Sequence, residues 1–359
     1  AARGGGAVPR DATGSEKPIE RGGRGRGRGA LKVVNGRSSG SGGDSAGSGS
    51  TWRSPSAVMG AHLGELYSVG TALCWVGTAV LFTKAGERMG SMVVNLLRLV
   101  MALGILVLVA WATRGMPWPT DATEHAWLWL SISGLVGFTF GDLCLFRAFL
   151  LLGPRLSTLM MSFAPPLAAV AGWIWLGERL GPWQVAGMLT TLAGVVWAIL
   201  DRTPSAAAMA PPSAKRWGLL LGFCGALGQG VGLVLSKYGM GDYEVIAANQ
   251  IRVFAGMVGF MVLFTVIGWW PRVWRSLRDG PGLGYTAGGA FAGPFLGVTL
   301  SLMAVQHTEA GVAASIMGTT PVLIIPYMMW VGKERVGLGG VLGAVVAVAG
   351  VAMLFLAPR

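Results

Sequence analysis

Long apolar runs, separated by short charged or Pro/Gly-rich breaks, dominate the chain from Leu63 onward. Each run is long enough to cross about 30 Å of hydrocarbon as a helix, which takes about 20 residues. The pattern predicts ten such helices, at residues 63–83, 92–112, 127–149, 155–177, 182–200, 217–237, 246–270, 284–306, 309–332 and 336–356. We therefore expect an all-α polytopic membrane protein.

The last two predicted helices of each half carry the same residues at the same intervals. In the first copy the shared residues are Met161, Pro165, Glu178, Arg179, Gly181, Gly187 and Gly194. About 156 residues later they are Met317, Pro321, Glu334, Arg335, Gly337, Gly343 and Gly350. Such a repeat indicates duplication, and duplicated bundles are typical of secondary transporters. We expect two repeats of five helices, at residues 59–202 and 203–359, and this odd number inverts the second relative to the first.

Composition supports the assignment to the membrane. The chain is 53% hydrophobic and 12% charged, which leaves too little polar surface for a soluble domain of this length. Its three cysteines, Cys74, Cys144 and Cys224, lie within apolar runs and are expected to be small buried hydrophobes. The three histidines show no metal-ligand spacing. We therefore expect no metal site and no other cofactor.

Residues 1–58 differ from the rest because they have no apolar periodicity. They hold ten Lys/Arg and four Asp/Glu, which is half of the net charge of +12. Arg-Gly and Gly-Ser runs within them predict a disordered tail. The favoured interpretation is a solvated tail, or translated sequence upstream of a start at Met59, and no nucleic-acid partner is expected. Binding of RNA or anionic lipid by the Arg-Gly run is the alternative.

An Asn and an Arg, three residues apart, recur near the start of the second and seventh predicted helices. They are Asn95 and Arg98 in the first half, and Asn249 and Arg252 in the second. Arginine within a bilayer is costly and often functional, so these residues could bind an anion or a carboxylate near the mouth of a cavity. Alternatively, each arginine snorkels and anchors its helix end at the interface.

Asp142 lies in the middle of the third predicted helix, and Arg147 follows five residues later. Asp142 could be a carboxylate linked to substrate or to a proton. It could equally form an internal ion pair with Arg147 or with a neighbouring helix. The corresponding residues of the second half, Val298 and Met303, are apolar, so the repeat does not require this pair.

Prolines lie within the fourth and ninth predicted helices, at Pro165 and Pro321 among others. Proline removes a backbone hydrogen bond and kinks a helix, and the freed carbonyls can face a cavity. Kinks at matching places in both halves are the best indication of a central binding site. We expect three hydroxyl-bearing residues to face it: Ser162, Thr319 and Thr320.

Trp75 and Gln229 could add aromatic and amide contacts, although packing against lipid accounts equally well for Trp75. The full set of candidate substrate-binding residues is Trp75, Asn95, Arg98, Asp142, Arg147, Ser162, Pro165, Gln229, Asn249, Arg252, Thr319, Thr320 and Pro321.

These features resemble the EamA family of the drug/metabolite transporter (DMT) superfamily. The resemblance covers residues 61–356 and rests on the helix count, the five-plus-five repeat, the paired Glu-Arg turns, and Leu73-Cys-Trp75 with Lys84 nine residues later. It implies ten helices around a central cavity that opens alternately to the two sides. It also implies export of small metabolites, often amino acids, or of drugs, typically across a bacterial inner membrane.

The chain departs from the related four-helix small multidrug transporters. Those proteins carry a membrane-embedded Glu in the first helix, which serves proton-coupled export of cations. Here Cys74 and Trp75 occupy that place, and the only Glu of the helix is Glu65 near its start. We therefore favour secondary-active export of small zwitterionic or apolar metabolites such as amino acids, with coupling to a proton or another ion left open. Multidrug export is the alternative.

Two other classes are less favoured. A membrane enzyme would need a HExxH motif, paired carboxylates or a Ser/His/Asp set, and ATP drive would need a P-loop; the sequence shows none of these motifs. A receptor-like or structural membrane protein is the second class. We expect no enzymatic activity, and we expect a small-molecule substrate and the lipid bilayer as partners.

Overall fold

The computed structural model describes residues 62–200, 212–330 and 337–357. The predicted tail and the Glu334-Arg335 turn lie outside these ranges. Ten of the helices are long and apolar enough to cross a membrane. In chain order they are α1 Leu63–Met89, α2 Ser91–Arg114, α3 Glu124–Leu152, α4 Ser157–Leu176, α5 Pro182–Leu200, α6 Ser213–Met240, α7 Val245–Val266, α8 Gly280–His307, α9 Ala310–Tyr327 and α10 Leu338–Phe355. The prediction of ten spans is confirmed.

Most helix boundaries shift by a few residues from those predicted, and two differences matter for the fold. The first span extends to Met89, beyond its predicted end at residue 83. The backbone stays helical from Asp142 to Met161, so helical backbone joins α3 to α4. Outside the spans, a short helix at Trp270–Ser276 lies between α7 and α8.

Equivalent spans of the two halves change helical pitch at equivalent positions. Leu135–Gly141 in α3 and Phe291–Gly297 in α8 are both π-helical, and the two segments are separated by the offset of the sequence repeat. π-Helical segments are rare and occur frequently at functional sites. The duplication therefore preserves a local irregularity of the backbone as well as the order of the helices.

A second pair of irregularities interrupts α4 and α9. The helix of α4 breaks between Met161 and Ala164, and that of α9 breaks between Met317 and Thr320, again at the repeat offset. Pro165 and Pro321 lie in the first turn of the segment that follows each break. Proline is well placed there because the N–H that it lacks would have no partner within the helix. The prolines thus begin new segments, whereas the sequence predicted kinks within continuous helices.

Glycines bring the helices close together, as the small-residue interfaces of membrane proteins require. A Cβ placed on Gly228 of α6 would lie 2.7 Å from the Cα of Gly141 in α3. On α5, a Cβ on Gly187 would lie 2.8 Å from a side-chain carbon of Leu354 in α10. On α10, a Cβ on Gly343 would lie 2.5 Å from the backbone nitrogen of Ala198. The last helices of the two repeats therefore pack directly on each other.

The largest cluster of buried apolar side chains joins α2 with α7, the second helices of the two repeats. Leu99 and Leu106 of α2 and Ile251 and Phe260 of α7 are fully buried in it. This packing fixes the rotation of both helices about their axes. Arg98 of α2 and Arg252 of α7 thereby point toward the interior of the bundle.

Candidate functional site

A cavity of about 340 Å³ lies between the two repeats. This volume is within the range of about 300 to 1,000 Å³ that is usual for small-molecule sites. Side chains from α1, α2, α3, α4, α6, α7, α8 and α9 line it. Nine of the candidate residues are among them: Trp75, Arg98, Asp142, Ser162, Pro165, Gln229, Arg252, Thr320 and Pro321.

One wall of the cavity carries an ion pair between α2 and α3. The guanidinium of Arg98 donates a hydrogen bond to the carboxylate of Asp142, and Gln229 of α6 donates to the other carboxylate oxygen at 2.9 Å. Arg98 also lies over the ring of Phe82, with 5.4 Å between the guanidinium carbon and the ring centroid. Both charged side chains are largely buried, with exposed fractions of 13% and 9%. Arg98 is thus an interior partner and does not snorkel to the interface.

Arg147 is not the partner of Asp142, although the sequence left that pairing open. Arg147 is exposed, whereas Asp142 is buried. Positions five residues apart on an α-helix do not share a face, because neighbours on one face are three or four apart. The interpretation in which Asp142 pairs with a neighbouring helix matches the structure.

The second arginine, Arg252 of α7, has neutral surroundings. Its residue is 5% exposed, and its Nε donates to the hydroxyl of Ser133 at 3.0 Å. The guanidinium carbon lies 5.2 Å from the centroid of the Phe138 ring. Its Nη1 is buried and has no hydrogen-bond partner among the described residues. A buried donor left in this way is costly, so the group is poised to bind an acceptor.

The interrupted helices α4 and α9 contribute hydroxyls and prolines to the cavity. The hydroxyl of Thr320 donates to the carbonyl of Met317 at 2.8 Å. That carbonyl is four residues before Pro321, which has no N–H to offer it. In α4 the hydroxyl of Ser162 makes a longer contact of 3.4 Å to the carbonyl of Thr158. Both hydroxyl-bearing residues line the cavity.

Thr319 does not face the cavity, and that part of the prediction is wrong. It is buried, and its hydroxyl donates to the carbonyl of Ile316 at 2.7 Å. Its neighbours Gly318 and Thr320 line the cavity instead. The turn that breaks α9 at Gly318 and Thr319 changes which positions point inward, and an unbroken helical projection misses this change.

The two asparagines are buried but do not line the cavity. Asn249 donates from Nδ2 to the carbonyl of Pro294 at 2.9 Å and to the hydroxyl of Thr299 at 3.1 Å. It thus holds the π-helical segment of α8. Its equivalent, Asn95, is also buried, and neither asparagine is among the residues that line the cavity.

The structure adds lining residues that the sequence did not single out. Thr78 lies one turn after Trp75 on α1, and Ser301 lies one turn after Val298 on α8. Phe138 enters from the π-helical segment of α3. The spacing of Thr78 from Trp75 could have revealed it, since residues three apart share a helix face. The position of Phe138 depends on the π-helical pitch, for which the sequence carries no clear signal.

Charged groups also connect helix ends on one side of the bundle. Lys237 of α6 donates to the carboxylate of Glu178 at 2.6 Å and to the carbonyl of Thr308 at 2.7 Å. The other oxygen of Glu178 accepts from the backbone N–H of Ala310 at 2.9 Å. Glu178 therefore caps α9, which belongs to the other repeat, and joins it to the ends of α6 and α8.

A second polar cluster lies at loops on the same side, where α2 and α6 end and α3 and α7 begin. The carboxylate of Asp121 accepts from Arg114 at 2.5 Å and from the hydroxyl of Tyr243 at 2.9 Å. Burial acts to raise the pKa of Asp121, but these hydrogen bonds outweigh it and hold the pKa below its usual value. Burial and the bond to Asp121 raise the pKa of Tyr243 to about 12.

The described residues contain no group of three His, Cys, Asp or Glu that could hold a metal ion. The described residues that line the cavity supply one ion pair, one further arginine, hydroxyls, an amide and the indole of Trp75. Such groups suit reversible binding of a small polar or charged molecule within an apolar bundle.

Comparison with known proteins agrees with the fold. A solved structure described as "Crystal structure of protein" superimposes with a TM-score of 0.60 at 19% identity, covering 81% of this chain and 94% of that one. At this identity the likeness concerns the fold alone. A search of curated proteins gives no match.

The sequence model of the EamA-like transporter family matches the chain twice, at residues 62–200 and 216–356. The first match contains α1–α5, and the second contains α6–α10 except for the first turn of α6. Each repeat of the structure therefore corresponds to one copy of the family domain. Ten apolar spans make the chain an integral multi-pass membrane protein. The chain belongs to the EamA-like transporter family of the DMT superfamily.

Proposed function

We propose that this protein is a secondary active exporter of small metabolites such as amino acids, acting in a bacterial inner membrane. The observation that carries the proposal is the cavity, which both repeats line and which is bordered by duplicated breaks in the helices. Broken helices at equivalent depths in two inverted repeats typically form the substrate site of secondary transporters. Coupling to a proton or another ion is part of the proposal, with Asp142 as the candidate carboxylate.

Alternating access requires contacts that close one side of the cavity and can be released. The cluster formed by Glu178, Lys237, Thr308 and Ala310 has this character, because it joins α4, α6, α8 and α9 through a few charged hydrogen bonds. Such contacts can be exchanged during a rocking movement of one repeat against the other, whereas interdigitated apolar packing would have to be rebuilt. We assign this cluster to one closed face of the transport cycle.

Multidrug export of lipophilic cations is the weaker candidate. The described residues that line the cavity include two arginines and only one acidic side chain, which is already paired. A cationic drug would meet net repulsion in a site of this charge.

Transport by purified protein in liposomes tests the proposal. Counterflow of radiolabelled amino acids, screened as a panel, should show uptake that saturates and requires the protein. Ser162→Phe should abolish it, because Ser162 lines the cavity and the larger side chain would fill it. Leu189→Phe is the matched control, since Leu189 is 62% exposed on the outer surface of α5. Equal transport by wild type and Ser162→Phe would place the pathway elsewhere.

A further inference from the structure

The two equivalent arginines of the repeats differ in how their charge is compensated. Arg98 is bound to Asp142 across the cavity wall. The residue of the second half that corresponds to Asp142 is Val298, which also lines the cavity but carries no charge. The duplication thus retained the arginine in both halves and the aspartate in only one.

Arg252 consequently has no anionic partner among the described residues. Its two polar and aromatic contacts, Ser133 and Phe138, are both neutral. The Ser133 hydroxyl is itself held by the carbonyl of Gly232 at 2.6 Å and by Ser236 at 2.7 Å. The guanidinium cannot relieve its burial by losing a proton, because arginine stays protonated in proteins. Nη1 remains a buried donor that has no acceptor within the part of the chain that the structure describes.

An uncompensated buried charge destabilises a fold strongly unless something neutralises it. The cavity beside Arg252 supplies the space for a ligand to do so. We propose that the substrate is a small organic monoanion whose carboxylate binds the guanidinium of Arg252. This inference rests on the proposed transport function and narrows its substrates from small metabolites such as amino acids to monoanions without an ammonium group.

The size and chemistry of the ligand follow from the remaining lining residues. One unpaired cation matches one negative charge, and the planar guanidinium suits the two oxygens of a carboxylate. Trp75, Phe138, Leu233 and Met317 offer apolar and aromatic surface for the rest of the molecule. Among the described residues that line the cavity, Asp142 is the only carboxylate. Arg98 and Gln229 already engage it, so it is not available to an ammonium group.

Binding by the purified full chain in detergent tests the charge requirement. Four probes share one carbon skeleton: 3-phenylpropanoate, phenylalanine, 3-phenylpropanamide and 3-phenylpropylamine. The carboxylate should raise the melting temperature in a saturable manner and more than phenylalanine, while the amide and the amine should not raise it. Inorganic phosphate, as a further arm, should fail to reproduce the effect. Stabilisation by the amine or amide equal to that by the carboxylate would overturn the proposal, as would full stabilisation by inorganic phosphate.

Variants of Arg252 separate a binding role from a structural one. Arg252→Met should weaken binding of 3-phenylpropanoate by about tenfold or more, the loss expected for one charge-assisted hydrogen bond. Without ligand it should melt no lower than wild type, because the guanidinium that it replaces has no anionic partner. Arg252→Lys should bind with intermediate affinity, since it keeps the charge without the planar fork. Arg272→Met is the matched control, because Arg272 is exposed outside the spans.

Undiminished binding of 3-phenylpropanoate by Arg252→Met would refute the inference. If the ligand-free variant also melted lower than wild type, Arg252 would have a structural role instead of a binding role. Binding is measured here without transport. A protein that binds 3-phenylpropanoate through Arg252 but shows no counterflow would refute the transport proposal alone. Counterflow that persists in Arg252→Met would refute the present inference alone.

Discussion

The ion pair between Arg98 and Asp142 should contribute to stability only as a pair. Asp142→Leu would leave the guanidinium of Arg98 without an anion, in contact with the ring of Phe82. Arg98→Met would leave the carboxylate of Asp142 with Gln229 as its partner. Removing both charged groups leaves neither of them buried alone. We therefore expect each single variant to be destabilised and the double variant to recover much of the loss.

The magnitude follows from the burial of the two side chains. Removing one partner of a buried pair typically costs about 3–5 kcal/mol, whereas replacing both partners with apolar groups is often close to neutral. Arg98 and Asp142 are 13% and 9% exposed and border a cavity, so residual hydration places the expected loss near the lower end, about 3 kcal/mol. The double variant should lie within about 1 kcal/mol of wild type, which gives a coupling of several kcal/mol.

A double-mutant cycle on denaturant unfolding in mixed micelles measures this coupling. The chain offers a matched control in Arg88 and Asp279, an Arg–Asp pair at 2.7 Å whose side chains are 48% and 22% exposed. Solvent screens that pair, so its coupling should be small. The reasoning is refuted if the buried pair couples no more strongly than the exposed pair, or if the double variant is as unstable as the sum of the single variants.

Three further outcomes are expected. Glu178→Gln should weaken the links to Lys237 and Ala310. A cysteine introduced at Ala314 in the cavity should then be labelled several-fold faster from the side of the bundle on which Glu178 lies, and an unchanged rate would count against a closing role. The pKa of Asp121 is lowered in the folded protein, so Asp121 contributes stability above its usual pKa, and this stability is lost as the pH falls through the folded-state pKa. The melting temperature of wild type should therefore fall as the pH is lowered from the usual pKa to the folded-state pKa, and that of Asp121→Asn should fall less. Gly228→Ala should cost about 1–3 kcal/mol in unfolding measurements by forcing α6 from α3, whereas Gly104→Ala, which has open space around it, should cost nothing.

The length of the apolar runs was sufficient to predict the ten spans, because a helix that crosses lipid must be about 20 residues long and apolar throughout. The repeat added more, since it placed Pro165 and Pro321 at equivalent depths, and both breaks lie next to them. These features are local, or arise from one local pattern written twice. They can therefore be predicted from the sequence.

The partners of the charged residues could not be predicted in the same way. Asp142 binds Arg98, 44 positions earlier, because packing of α2 against α7 fixes the direction in which Arg98 points. Nothing within α3 encodes that rotation. Thr319 and Thr320 illustrate the same limit at close range, since the break in α9 decides which of the two adjacent hydroxyls reaches the cavity.

The interface between α5 and α10 is symmetric, and this symmetry is relevant to how the chain was duplicated. Gly187 approaches Gly350 and Leu354, and the contacts recur with the roles of the repeats exchanged, as Gly343 approaches Gly194 and Ala198. An interface in which each side presents the same patch to the other is isologous, the form that identical subunits use to dimerise. The fused halves therefore still meet as a homodimer would. This is the geometry expected of a duplication that joins two copies of a self-pairing half.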